Sequence, residues 1–226
     1  MKICAVLLAT LLAATSLARA EETSAPPESS APAPLSRFSL GAYLSYWNVE
    51  DLDEFDVSGA LGGGVVGQFR LHDLFALELR LSGFAAGDSE DVYVEGEGWY
   101  DYETTIVSMP MEVGFVAFLP LGESFRFYGG GGAGFYLFDG QFRVDQGPQS
   151  TLYDIEIDDE GGFYAVLGAR AQLARNVALF VEGKYTWVET SLETSQTFLH
   201  DIGVDGVRQD LDFSGPALSA GAIFTF

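Results

Sequence analysis

The amino-acid sequence predicts an all-β fold, an eight-stranded antiparallel up-and-down barrel, and three observations lead to it. From Phe38 onward, apolar residues alternate with small or polar ones over segments of about ten residues, the period of strands with two different faces. The links between these segments are short and long in turn. Charges are segregated, because most of the 33 carboxylates lie in the long links, while five of the nine basic residues after residue 20 lie on strand positions.

The first residues are typical of an exported protein. Residues 1–20 combine Lys2, an apolar run and a small-residue end at Ala18-Arg19-Ala20, which predicts a cleaved signal peptide. The only cysteine, Cys4, lies inside this segment, so we expect a mature chain without thiols. Residues 21–36 are rich in Pro, Ser and Ala and predict a flexible linker. Residues 37–226 then form one predicted barrel domain.

The alternation divides this domain into eight strands, taken in order along the chain. Their predicted bounds are 38–47, 58–71, 74–86, 104–119, 125–138, 162–174, 177–189 and 212–226. One face is apolar, as with Phe38, Leu40 and Leu44 of the first strand, and it carries no charge. The opposite face carries the charged residues of the strands. This pattern alone fits either a membrane barrel or a water-soluble sandwich.

Further features favour the membrane barrel. Tight links near 72–73, 120–124 and 175–176 alternate with long links near 48–57, 87–103, 139–161 and 190–211, as periplasmic turns and external loops do in outer-membrane barrels. The sequence ends in mid-strand on the aromatic Phe226. An even number of strands that closes on itself leaves no unpaired edge in lipid. With eight strands, the lumen is narrow enough to be filled by side chains.

Three stretches of the chain resemble a known group of proteins. They are SMPMEVGFVAFLP with FRFYGGGGAGFYLF, then GFYAVLGARAQLARNVALFVEGKYTW, and the terminal LSAGAIFTF. In this order they resemble the eight-stranded OmpA-like and OmpW-like outer-membrane barrels of Gram-negative bacteria, over residues 37–226. The resemblance implies export through the periplasm to the outer membrane, contact with lipid and lipopolysaccharide, and a monomer. It also implies an assembly signal, read by the barrel-assembly machinery, at Ser219, Gly221, Phe224 and Phe226.

The stretch FYGGGGAGFY, residues 127–136, has the spacing G-x-G-x-x-G at Gly129, Gly131 and Gly134. A nucleotide site of this type needs a helix after the glycines, because the helix N-terminus holds the phosphate, and no helix is predicted here. The inward glycines, Gly130, Gly132 and Gly134, instead predict barrel curvature and room for luminal side chains. At the two lipid interfaces we expect the flanking aromatic residues Phe125, Phe127, Tyr128, Phe135 and Tyr136.

The inward face also predicts a cluster of charges at similar depth in the lumen. Its six members are Glu78, Arg80, Glu112, Arg170, Glu182 and Lys184. They fit either a gate or selectivity filter or a structural network of paired charges that fills the barrel. Within this cluster we expect Arg170 and Glu182 to pair across neighbouring strands.

Other chemistry has less support in the sequence. Acidic clusters within residues 50–56 and 154–160 fit either divalent-cation binding that bridges to lipopolysaccharide or a solvated, repulsive surface, and neither matches a calcium loop. His72 and His200 are expected at opposite ends of the barrel, so we predict no catalytic site, metal site or cofactor. A formal net charge of -22 argues against nucleic acid as a partner.

The sequence therefore predicts an integral outer-membrane barrel that is not an enzyme and has a packed lumen. Its expected role is structural or in surface interaction, through acidic extracellular loops. The alternative is a small OmpW-like transport barrel for hydrophobic or small solutes.

Overall fold

The structure, a computed structural model, describes residues 37–49, 59–94, 98–122, 124–146, 149–194 and 208–226. They belong to a compact unit, Ser36–Phe226, whereas the predicted signal peptide and linker lie outside the described residues. The strands are β1 Phe38–Trp47, β2 Ala60–His72, β3 Phe75–Val94, β4 Gly98–Leu121, β5 Phe125–Gln146, β6 Gln149–Ile157, β7 Glu160–Ala174, β8 Val177–Trp187, β9 Glu189–Thr194, β10 Arg208–Asp212 and β11 Gly215–Thr225. Among the described residues, no helix has the length and hydrophobicity needed to cross a membrane.

Eight of these strands close into a barrel. The pairing runs antiparallel through β1, β2, β3, β4, β5, β7, β8 and β11, and β11 pairs with β1. The closing pair extends from Ser39 opposite Thr225 to Trp47 opposite Ala217. Closure satisfies backbone groups that an edge strand would otherwise expose to lipid. The predicted eight-stranded up-and-down barrel is confirmed.

Side chains alternate across the barrel wall as the sequence predicts. In β1, Leu40 and Leu44 are exposed on the outside, while Tyr43 and Trp47 are buried inside. The same parity exposes large apolar side chains on the other barrel strands, for example Phe69, Leu79, Phe115, Phe127, Leu167, Leu179 and Leu218. So large an apolar surface requires a lipid environment.

The two ends of the barrel differ. Short connections join β2 to β3 at 73–74, β4 to β5 between Leu121 and Phe125, and β7 to β8 at 175–176. At the opposite end, β3, β4 and β5 extend well beyond the roughly ten residues that span a bilayer, and β4 alone has 24 residues. There, β6 pairs with β5, β9 with β6, and β10 with β9. Because outer-membrane barrels have short periplasmic turns and long extracellular segments, we call this continuation of β3, β4 and β5, together with β6, β9 and β10, the extracellular sheet.

The extracellular sheet corrects the predicted loops. The segments 87–103 and 139–161 were expected as loops but are largely strand, as are the described parts of 190–211. Water solvates the outer face of this sheet, so its strands need no apolar side chains there. The apolar outer face used to find strands is therefore absent beyond the membrane.

The inward glycines of β5 provide room for luminal side chains, as predicted, and they also allow a close approach to the neighbouring strand. A Cβ on Gly130 would overlap the carbonyl oxygen of Phe115, so only glycine permits this close approach of β5 to β4. A Cβ on Gly134 would lie 3.0 Å from the Tyr136 ring, which needs that space in the lumen. No phosphate cradle forms, because β5 continues as a strand to Gln146.

Candidate functional site

The inward side chains form layers along the barrel axis. From the tight turns outward, β3 presents Ala76, then Glu78 and Arg80, then Phe84. β8 repeats this order, with Ala178 and Phe180, then Glu182 and Lys184. The buried Val188, directly after the end of β8, continues it. All six predicted luminal charges are buried. A charged layer therefore lies between two apolar layers.

Arg80 is the centre of this charged layer. Its Nε donates to Glu78 Oε1 at 2.6 Å, and its Nη1 and Nη2 both donate to the Glu182 carboxylate, with 2.9 Å between Nη2 and Oε2. Gln68 Nε2 donates to Glu78 Oε2 at 2.6 Å, and the Tyr128 hydroxyl donates to Glu182 Oε2 at 2.6 Å. The two-pronged bond between guanidinium and carboxylate is the strongest common form of ion pair. It ties β3 to β8 across the lumen.

A second ion pair lies closer to the extracellular end. Lys184 Nζ donates to Glu112 Oε1 at 2.6 Å, and the Tyr136 hydroxyl donates to the same oxygen at 2.9 Å. The Tyr164 ring lies near both ion pairs, with its centre 5.7 Å from Lys184 Nζ and 6.0 Å from the Arg80 guanidinium. Each of the three luminal glutamates thus has one cation and one neutral donor.

The predicted pair between Arg170 and Glu182 is wrong. Glu182 lies opposite Gly168 on β7, whereas Arg170 lies opposite Phe180, two residues closer to the tight turn. Arg170 Nη2 instead donates to the side-chain oxygen of Gln68 at 3.1 Å. Its guanidinium also lies 5.4 Å from the ring centres of Phe118 and Tyr128. Arg170 is therefore a buried cation bound by neutral groups.

Two members of the network were expected elsewhere. Tyr128 and Tyr136 were predicted at the lipid interfaces, but both are buried in the lumen, where their hydroxyls need the polar partners that the glutamates supply. Both residues are an even number of positions from the inward Gly130, so they lie on the same face of β5. This spacing is the sequence signal that could have placed them in the lumen. Gln68 was missed as well, because it is uncharged. The other flanking aromatics, Phe125, Phe127 and Phe135, are exposed on the outer face as predicted.

The four residues of the predicted assembly signal lie at the closing seam. Ser219 is buried and donates to Ser45 Oγ at 2.8 Å across the seam. Gly221 lies opposite Tyr43 in β1. Phe224 and Phe226 face outward near the tight turns, and the Phe226 amide donates to the Phe38 carbonyl at 2.9 Å. Recognition of these residues by the assembly machinery remains a prediction.

Among the described residues, the acidic and histidine candidates do not converge on a site. Residues 50–56 and His200 lie outside the described residues. In the cluster at 154–160, Asp159 accepts a hydrogen bond from the Phe138 amide and Asp158 accepts one from the Ser191 hydroxyl. No group of three or more His, Cys, Asp or Glu residues within the described ranges is arranged to hold a metal ion. His72 lies beside a tight turn, where its Nδ1 accepts from the Leu74 amide at 3.3 Å.

Three carboxylates lie side by side on the outer face of the extracellular sheet. Asp101 on β4 lies directly opposite both Asp91 on β3 and Asp145 on β5. We call these three residues the acidic row. Two residues closer to the barrel, Glu103 forms an exposed ion pair with Arg143 at 2.8 Å. Like charges directly opposite one another repel, so the acidic row is a place of unbalanced negative charge.

Several solved structures of outer-membrane proteins are similar to this chain. The solved structure of OprG from Pseudomonas aeruginosa gives a TM-score of 0.61 at 16% identity, covering 85% of this chain and 97% of that chain. AlkL in DMPC lipid bilayers gives 0.48 at 16% identity, covering 91% and 97%. Ail of Yersinia pestis, in complex with the heparin analogue sucrose octasulfate, gives 0.43 at 15% identity, covering 84% and 97%. No curated protein matches the chain.

The family comparison covers nearly the whole chain. Residues 4–224 match the family described as "Outer membrane protein beta-barrel domain". Together with the closed barrel and its apolar outer face, this match gives the cellular location, the outer membrane of a Gram-negative bacterium. The chain belongs to the outer membrane protein beta-barrel domain family.

Proposed function

We propose that this protein is a closed barrel that acts at the cell surface, through the acidic outer face of its extracellular sheet. The observation that carries the proposal is the filled lumen. Side chains from all eight barrel strands occupy it, and the glutamates of its charged layer all have cationic partners. A barrel without a passage leaves its outward surfaces as the functional ones.

The apolar layers support a closed lumen on both sides of the charges. Toward the extracellular end, the Trp47 and Phe84 rings lie 5.2 Å apart, and those of Phe138 and Phe213 lie 4.6 Å apart. Toward the tight turns, a second buried cluster includes Tyr43, Val66, Val116, Phe118, Phe180 and Ile223. An ion crossing the barrel would have to pass both clusters and break buried ion pairs, which are costly to separate.

The outer face of the extracellular sheet has the composition of a contact surface. Tyr93 and Trp99 are 59% and 65% exposed, and their ring centres lie 5.2 Å apart. They are two residues along β3 and β4 from the paired Asp91 and Asp101 of the acidic row. Exposed aromatic residues are enriched at protein interfaces. Aromatic rings beside unbalanced carboxylates favour a basic peptide or protein as the partner.

A binding measurement with a matched control tests this surface. We expect a Lys-rich peptide containing aromatic residues to bind the refolded barrel at low salt. Replacing the acidic row, Asp91→Asn with Asp101→Asn and Asp145→Asn, should weaken that binding by about tenfold or more, since several unscreened attractions are lost. The control removes the same number of exposed carboxylates away from the row, with Asp154→Asn, Glu160→Gln and Glu189→Gln. Equal weakening in both variants would refute a defined contact surface.

Transport of hydrophobic solutes is the second candidate, and one observation favours it. The extracellular half of the lumen is lined by apolar residues, among them Trp47, Phe84, Ile106 and Phe213, and the buried Trp47 Nε1 has no hydrogen-bond partner there. Uptake of a small apolar dye into liposomes that contain the barrel distinguishes the two functions. Uptake above that of empty liposomes, changed by Phe213→Ala, would favour transport. A closed barrel predicts no difference from empty liposomes.

A further inference from the structure

We infer that the end of the lumen beside the tight turns, its periplasmic mouth, binds a phosphate group through Arg170, Arg126 and Arg70. The site is distinct from the extracellular contact surface proposed above and does not depend on it. It lies closer to the tight turns than the ion pairs of the charged layer, in which the three glutamates share Arg80 and Lys184.

Strand register brings these arginines together. Arg126 on β5 lies directly opposite Arg170 on β7, and both are on the inward face. Side chains at opposite positions in an antiparallel pair start about 5 Å apart. Arg170 also reaches across the lumen to Gln68, and Arg70 is the next inward residue of β2 after Gln68. Arg70 in turn donates its amide to the Arg37 carbonyl at 2.7 Å, so Arg37, the residue before β1, lies beside it.

Carboxylates balance only part of the positive charge of this mouth, because Glu78 attracts Arg170 and Asp73 attracts Arg70, while three arginines lie close together. Arg170 is 7% exposed, its Nε has no hydrogen-bond partner, and its described contacts are the Gln68 amide and two aromatic rings. Arg126 repels both Arg170 and Arg70. The acidic residue acting on Arg70 is Asp73, in the turn between β2 and β3. Glu123 lies outside the described residues.

A bound oxyanion accounts for this arrangement. Like charges placed opposite one another weaken a strand pair, and a buried guanidinium nitrogen without a partner is costly. A phosphate group removes both costs, because its oxygens accept paired N–H bonds from guanidinium groups and its charge offsets their repulsion. Arg70 and Arg126 are only partly buried, so the mouth is open to a ligand from the periplasm. That ligand is either free phosphate or the headgroup of an anionic phospholipid in the adjoining leaflet.

The first test measures inorganic phosphate binding to the barrel refolded in maltoside micelles, which contain no phosphate. Equilibrium dialysis gives the affinity, and urea unfolding compares phosphate with chloride at equal ionic strength. Phosphate should raise the unfolding midpoint of the wild type, because it binds the folded state. Arg126→Gln should weaken binding by about tenfold, since a charge-assisted bond is lost. The matched control, Arg175→Gln, removes an exposed arginine from the turn between β7 and β8 and should bind phosphate as the wild type does.

Two further readouts separate binding from folding and identify the source of the phosphate. Without phosphate, Arg126→Gln should unfold at a higher urea concentration than the wild type, because one repulsion is removed; a variant that merely misfolds would do the opposite. Adding phosphatidylglycerol to the micelles tests the headgroup. Protection by the lipid alone assigns the site to a headgroup, and protection by inorganic phosphate assigns it to the free ion. The inference is overturned if neither protects the wild type, or if Arg126→Gln responds to them as the wild type does.

Discussion

The barrel wall and the extracellular sheet share three strands, yet they place charge on opposite faces. In the wall, β4 directs Met109 and Met111 outward and Glu112 into the lumen. Further along the same strand, with unchanged parity, Asp101 and Glu103 face outward. The inner face there carries aromatic rings, with Tyr100, Tyr102, Phe142 and Tyr153 stacked or tilted against one another. The medium on the outer face, lipid or water, decides which chemistry that face carries.

The same difference sets the strength of ion pairs in the two regions. The bond between Arg80 and Glu182 is buried and surrounded by apolar layers, whereas Arg143 and Glu103 are 46% and 48% exposed. Removing one partner of a buried pair leaves a charge without solvent or counterion, but water and salt replace a lost partner at the surface. Ion pairs should therefore stabilise the wall and contribute little to the sheet.

The largest effect is expected from Arg80→Ala. This change leaves Glu78 and Glu182 buried without their shared cation, so the free energy of unfolding should fall by about 3–5 kcal/mol. Urea unfolding of the barrel in lipid vesicles measures the change. Adding Glu182→Gln should recover part of the loss. Strict additivity of the two substitutions would contradict a direct interaction between them.

A smaller loss is expected from Tyr128→Phe. The hydroxyl donates to the buried Glu182 at 2.6 Å, and hydrogen bonds to charged groups contribute about 1.5–3 kcal/mol. The same unfolding assay applies, with Tyr93→Phe as the control, because that ring is exposed on the sheet. A loss no greater than that of the control would mean that Tyr128 only fills space.

Deleting Phe226 should affect assembly more than stability. Its ring is 67% exposed on the outer face and stacks on Phe38 with ring centres 6.3 Å apart, so its loss should cost at most about 1 kcal/mol in detergent. In cells, the amount inserted into the outer membrane should fall several-fold if the assembly machinery reads this residue. Quantifying the protein in isolated outer membranes measures the amount inserted in cells. Similar losses in cells and in detergent would assign Phe226 to stability alone.

The smallest effect is expected from Arg143→Ala in the extracellular sheet. Its ion pair with Glu103 is exposed, and exposed pairs contribute about 0–1 kcal/mol. Even this small change should shrink as salt is added, because the pair is screened. A loss comparable to that of Arg80→Ala in the same assay would remove the contrast between the two regions.

The parts of the fold that were predictable are those on which lipid imposes a pattern. Leu79 and Leu81 alternate with Glu78 and Arg80 because one face of β3 meets lipid and the other meets the lumen. Strand extensions such as Ala86–Val94 face water on their outer side, and no such pattern marks them. The eight strands were therefore found, whereas the extracellular sheet was not.

The membership of the luminal site was predictable, but its pairing was not. Parity alone places all six charges inside the barrel. Arg80 and Glu182, however, are separated by 102 positions and meet across the lumen. The expected pair of Arg170 with Glu182 fails because the two residues are offset by two positions in the register of β7 and β8. Tilt and stagger of the strands decide such contacts. They are properties of the closed barrel rather than of any single strand.

Single-channel recording of the refolded wild-type barrel in a planar bilayer tests the central claim most directly. The filled lumen predicts that insertion of the protein adds no steady conductance, because ions would have to pass two apolar layers and the ion pairs between them. A steady open level, present in most insertions and lasting under a constant voltage, would contradict a closed barrel and with it a function confined to the outward surfaces.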